Sequence, residues 1–432
     1  MTRIAERLGR SGWRLFPLLA VPLYLATFAS VPGLATADDV IGDADSAAYT
    51  LLLTEWSLAR PFGDARRPLP HSTGDRAQEH KIKHVLTPML YAPVVTLGRR
   101  AFSLLGFPAQ EAAALGVKLP GALVGAASIG VVALILLLLA VHPLRVLWAC
   151  ALLTFAPGFW IYASIPESWT LSGLLTLLAL YAFVRWPSRD WPVAIISGVA
   201  MVNCAVLGIV SLFPMLAALV GYHPRPRRLT EALLLGRAPL IAVVVWATVL
   251  GVLSLADSDL RPDRVVQYLQ FFPSLLAPDE LPRWSFRMVK LSLQQWWFTP
   301  LASLQGDITL VGHGLGTTMR SSGRGLLSVV MVLLLWATIV TGWLRPHRSS
   351  SPRRRLAVLL AVVTTLLWLV LHQGSAVSML LYAPVLLPLT LIILALLTEA
   401  LTPAATRALA VPSLWLMISG VLQVRLVAAL AV

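Results

Sequence analysis

The run LPGALVGAASIGVVALILLLLAV at residues 119–141 contains no charged side chain. At 1.5 Å per residue an uninterrupted helix of that length spans the roughly 30 Å hydrocarbon core of a bilayer. Comparable runs recur along the 432 residues, which are 57% hydrophobic, with a mean hydropathy of +0.78. Only 12% of residues are charged, about half the ~25% usual in soluble domains. The expectation is an all-α, polytopic integral membrane protein forming one domain over 1–432.

The formal net charge is +14, yet the arginines gather in short turns between apolar runs. That pattern follows the positive-inside rule and leaves no basic soluble face to grip a duplex, so no nucleic-acid partner is expected. Cys150 and Cys204 both fall within apolar runs and read as packing thiols rather than a disulfide framework. Arg3, Arg7, Arg10 and Arg14 precede the first run, at 15–34, which reads as a retained anchor entering from the cytoplasm.

Counting outward from 119–141 gives about eleven spans. Further spans are expected at 146–163, 169–184, 233–255, 326–344, 356–371, 377–397 and 409–429. The apolar stretch 191–222 is read as a hairpin of two short spans turning near Asn203, because a single span would place Arg225, Arg227 and Arg228 outside. This layout puts two large polar segments on the outer face, 35–118 and 257–320. A short helix is expected within 45–58, and an amphipathic helix at 84–102 lying along the membrane surface. Among the acids only Glu6, Asp190, Glu231 and Glu399 remain inside.

Gly42-Asp43-Ala44-Asp45 is the sharpest local feature. Two carboxylates at i and i+2 can deprotonate an acceptor hydroxyl, ligate a divalent cation, or cap the helix that follows. Glu167, at the end of 146–163, is an acid at a membrane boundary that either serves chemistry or caps the next helix. The outer cations include Lys81, Lys83, Arg283, Arg287, Lys290, Arg320 and Arg324, which reach either a phosphate or lipid headgroups. His71, His80 and His84 match no compact metal signature, so no metal cofactor is favoured. Trp296 and Trp297 read as an interface belt, and Gly312-His313-Gly314-Leu315-Gly316 as loop.

The layout and four phrases resemble the GT-C class of membrane glycosyltransferases, which use polyprenyl-phosphate-linked sugars. The phrase from Gly42 to Tyr49, GDADSAAY, resembles the acidic motif of that class's first loop. HVLTPMLYAP at 84–93 is similar to the HHLLYxP-type segment of bacterial members related to protein mannosyltransferases. IPESWTLS at 165–172 resembles the acidic turn between spans three and four, and LLYAPVLLP at 380–388 resembles the late LYxxxLLP span. No large soluble C-terminal domain of the kind many members carry is expected. The chain carries Gly374-Ser375-Ala376 where a late-loop acid is often found.

The resemblance implies sugar transfer from a polyprenyl-phosphate donor to a glycan, lipid or protein acceptor on the outer face of a bacterial cytoplasmic membrane. Asp45 or Asp43 would be the base, and His84, Tyr91, Glu167, Lys83, Arg320 and Arg324 would contact substrate. The rival expectations are a transporter or flippase for a lipid-linked envelope precursor and a non-catalytic envelope scaffold. A transporter needs ionisable groups near the midplane, and Arg425 is the main one within the apolar runs.

Overall fold

The computed structural model describes residues 11–27, 53, 84–187, 189–219, 237–256, 330–331, 333–335, 337–338, 341, 352–374, 383–399, 401 and 403–430. These residues are helical with no strand among them. After a 3₁₀ turn at Gly12–Arg14 the helices are α1 (Leu15–Ala26), α2 (Leu86–Leu104), α3 (Ala109–Leu138), α4 (Pro143–Thr154) and α5 (Pro157–Ala163). Next come α6 (Ser168–Arg185), α7 (Trp191–Asn203), a 3₁₀ stretch Ala205–Leu212 and α8 (Phe213–Leu219). The remainder are α9 (Arg237–Ala256), α10 (Pro352–Gly374), α11 (Ala383–Thr398), α12 (Pro403–Ala408) and α13 (Ala410–Leu430).

Among the described residues, four helical segments are long and apolar enough to cross a membrane: α3, α6, Arg237–Leu255 and Ala404–Leu422. The pair α4 and α5 makes a fifth if its two halves are one crossing. This is fewer than the number expected from the sequence. Several runs counted there are helices shorter than a full crossing (Gly12–Ala26, Trp191–Asn203, Leu207–Ala217, Ala383–Thr398), and 326–344 lies largely outside the described residues.

Helix α3 begins at Ala109, ten residues before the expected 119, and so carries Lys118 within it. Its small residues let neighbours approach closely, as small residues do between membrane helices. A Cβ built on Gly121 would lie 2.7 Å from the carbonyl of Ile165, and one on Gly125 would lie 2.7 Å from Cβ of Ala163. Helix α2 leans on the same helix, Gly98 facing Gly116.

The run expected at 146–163 is not straight. It bends by 63° between α4 and α5, because Pro157 has no N–H to continue the ladder. The freed groups find partners: the Thr154 carbonyl accepts from the Tyr24 hydroxyl at 3.2 Å, and Ala156 N–H donates to Leu153 at 3.3 Å. Helix α13 covers the joint, since a Cβ on Gly420 would sit 2.2 Å from the carbonyl of Phe155.

The stretch 191–222 breaks where the turn is expected. Helix α7 ends at Asn203, and Cys204 is extended at φ −158°, ψ 114°. Asn203 meets the first turns of α6, whereas the Phe213 ring lies 6.0 Å from that of Phe183, near the far end of α6. The chain therefore reverses between 203 and 213.

Opposite ends of the bundle carry different chemistry. Beyond the C-terminus of α6, Asp190 pairs with Arg237 at 3.7 Å. Glu399, just past α11, pairs with Arg145 of α4 at 3.4 Å and with Arg353 of α10. Ala140, at φ 53°, closes α3 in a left-handed conformation that usually takes glycine. Its carbonyl accepts from Arg353 at 3.0 Å. At the other end of α6 lies a buried polar junction.

Candidate functional site

Helix α2 presents Thr87 and Tyr91 on one stripe, in line with His84 just before the helix, at the i, i+3, i+7 spacing of a single face. All three side chains are buried. Helix α6 presents Ser168 and Ser172, one turn apart, at the opposing wall, both fully buried. Asn203 comes between them at the broken end of α7.

Both polar atoms of the Asn203 side chain, and its main-chain oxygen, find partners in the junction. Its side-chain oxygen accepts from the Thr87 hydroxyl at 2.9 Å. Its amide nitrogen donates to the Ser172 hydroxyl at 2.9 Å and to the Ser168 carbonyl at 3.4 Å. Its main-chain oxygen lies 2.7 Å from Nδ1 of His84. A carbonyl can only accept, so Nδ1 carries the hydrogen and the lone pair of neutral His84 is on Nε2. The ring packs edge-on against Trp169, centroids 5.4 Å apart.

Glu167 is wholly buried. Its extended backbone starts α6, and its Oε1 accepts from the Ser168 N–H at 2.8 Å and the Ser168 hydroxyl at 3.0 Å. It therefore caps α6, and the cap holds a carboxylate in the junction. Tyr91 donates to the Glu167 carbonyl at 3.4 Å. Burial, together with the negative charge of Glu167, pushes the Tyr91 hydroxyl well above its ordinary range. It stays a donor at any physiological pH. Lys118 is 1% exposed, one turn before Gly121, whose neighbour is the Ile165 carbonyl. Lys118 is thus buried on the face of α3 that packs near the start of α6.

Of the residues expected to form a site, the fold brings His84, Tyr91 and Glu167 together. Asp43, Asp45, Lys83, Arg320 and Arg324 lie outside the described residues, as do His71 and His80. No group of three metal-ligating side chains occurs among the described residues. Thr87, Ser168, Ser172 and Lys118 were not named as site residues from the sequence, and Asn203 was read only as a turn. The stripe through His84, Thr87 and Tyr91 is the signal that would have found the first of them.

The arrangement gathers an imidazole, a carboxylate, a phenol and four hydroxyl or amide side chains where α2, α6 and α7 meet. Such a set can orient a polyhydroxylated or phosphorylated group at the end of an apolar bundle. No family model, curated protein or solved structure matches the chain.

Proposed function

We propose that the chain is a membrane-embedded glycosyltransferase that moves a sugar from a polyprenyl-phosphate donor to an acceptor hydroxyl at the outer surface of a bacterial cytoplasmic membrane. In this reading the bundle crosses the bilayer about eleven times, with the arginine-rich end inside. A first-loop carboxylate, Asp45 or Asp43, takes the acceptor proton as the acceptor oxygen attacks the anomeric carbon. The bond from that carbon to the phosphate oxygen breaks with inversion, and polyprenyl phosphate leaves. Lys83, Arg320 and Arg324 offset the charge that grows on the leaving phosphate. His84, Tyr91 and Glu167 orient the sugar.

One observation carries the proposal. Three of the four phrases that resemble the GT-C class adjoin the first turns of α6. His84 and Tyr91 belong to one and Glu167, Ser168 and Ser172 to the second. The third meets α6 where a Cβ on Gly173 would lie 2.2 Å from the Pro384 carbonyl. Their convergence on one helix end, away from the Glu399 cluster, is what a one-sided chamber requires.

The test is incubation of the purified protein with a panel of radiolabelled polyprenyl-phosphate sugars, following release of the label and its transfer. Asp45→Asn should abolish turnover while leaving membrane insertion intact. Retained turnover removes Asp45 as the base, and no turnover of any donor by the unaltered protein removes the proposal.

The interrupted helices, α4 with α5 and α7 with the stretch after it, favour a second reading. Discontinuous helices are a hallmark of transporters, here for a lipid-linked precursor. Movement of a fluorescent lipid-linked sugar across liposomes without transfer would select it.

A further inference from the structure

At the end of the bundle away from the junction, three chain segments converge on a single carboxylate. Glu399 follows the C-terminus of α11. Arg145 lies in the first turn of α4 and Arg353 in the first turn of α10, and both reach that carboxylate. The backbone N–H of His142 donates to Glu399 Oε1 at 3.1 Å, and Arg353 also donates to the Ala140 carbonyl. Two guanidinium groups against one carboxylate leave the cluster with excess positive charge. Arg353 is 38% exposed and Arg145 18%, so the excess is open to a ligand at the surface.

The location says which ligand. The cluster sits at the end of α3, a 30-residue helix long and apolar enough to cross a membrane, and so at headgroup depth in a bilayer. Leu134 and Leu138, one turn apart on the last turns of α3, are each 40% exposed, and Leu144 beside the cluster is 49% exposed. An aliphatic strip thus leads up to an under-neutralised pair of arginines. That is the shape of an amphiphile with a fatty tail and an anionic head.

We propose that this cluster is a binding site for an anionic phospholipid whose phosphodiester headgroup carries no compensating positive charge. The phosphate sits between Arg145 and Arg353, alongside or in place of the Glu399 carboxylate. An acyl chain lies along Leu134 and Leu138. The site is independent of the glycosyltransferase reading.

The test uses the full chain in a neutral detergent and follows thermal unfolding during titration. The probes are phosphatidylglycerol, phosphatidylcholine with the same acyl chains, and inorganic phosphate. Phosphatidylglycerol should stabilise at lower concentrations than phosphatidylcholine, and inorganic phosphate should have no effect. Arg145→Gln and Arg353→Gln should each weaken the response to phosphatidylglycerol about fivefold, the usual worth of one arginine near an anionic lipid. Glu399→Gln, which removes the competing charge and keeps an acceptor for His142, should strengthen it. Equal responses to the two lipids, an unchanged preference in both arginine variants, or a shift with inorganic phosphate alone would overturn the site. Should the arginine variants fail to fold, Glu399→Gln decides alone, and an unchanged or weaker preference for phosphatidylglycerol is the adverse result.

Discussion

Nδ1 of His84 lies 2.7 Å from the main-chain oxygen of Asn203, 119 residues further along the chain. The first polar segment is thereby tied to the broken end of α7, and the Asn203 side chain extends the tie to α6. A single amide holds three helices in register at the candidate site.

Replacing Asn203 with Leu should therefore cost more than its small change in volume suggests. Thr87 and Ser172 would lose buried partners, a loss of about 1–2 kcal/mol. Thermal unfolding in detergent measures it. Asn203→Gln should recover little, because the extra methylene displaces the amide from both hydroxyls. Full stability in the Leu variant would show that the junction is not what aligns the helices.

Tyr91 supplies a pH dependence. Its folded-state pKa is raised by burial and by Glu167, so below pH about 10 both folded and unfolded chains keep the proton and Tyr91 adds no slope. Above that value the unfolded chain gives up a proton that the folded chain retains. Stability should then fall with rising pH, by about 1.4 kcal/mol per unit for this one group. Tyr91→Phe should flatten the alkaline limb of a Tm-against-pH curve and leave the neutral region level.

Two glycines make a matched pair. Gly173→Ala places a Cβ 2.2 Å from the Pro384 carbonyl, where backbone and not a yielding side chain must move. Separation of α6 from α11 should cost about 2 kcal/mol or more. Gly251, within α9, has nothing within 4 Å of a built Cβ, so Gly251→Ala should stabilise by about 0.5–1 kcal/mol through helix propensity. Opposite signs in one unfolding assay are the expected result.

The reversal at Asn203 predicts a topology. Reporters fused after Tyr222 and after Arg145 should report the same compartment. Opposite compartments would mean that 191–222 crosses only once, despite the meeting of Phe183 with Phe213.

Helical class and much of the helix order were legible in the sequence, because hydropathy alone specifies an apolar run. The bend at Pro157 was not. Hydropathy counts apolar residues but carries no direction, and residues 146–163 read identically whether straight or folded by 63°. Within the site, Glu167 stood out as an acid at a membrane boundary, and His84 and Tyr91 through a phrase that resembles a segment of a known class. Ser172 and Lys118 did not, since a lone hydroxyl or amine inside a helix announces nothing until its neighbours are placed. Asn203 was visible, but as a turn marker. That it also binds α2 to α6 depends on contacts between segments far apart in the chain.

The joint at Phe155 bears on biosynthesis. Its lid, α13, arrives last: Trp148 and its partner Ser413 are 265 residues apart. At about 5–20 residues per second the ribosome needs roughly 13 to 53 s to cover that distance. Through that interval the nascent bundle holds an uncovered kink that an insertion factor or chaperone could shield, and a transcript cut short before codon 420 would leave it bare for good.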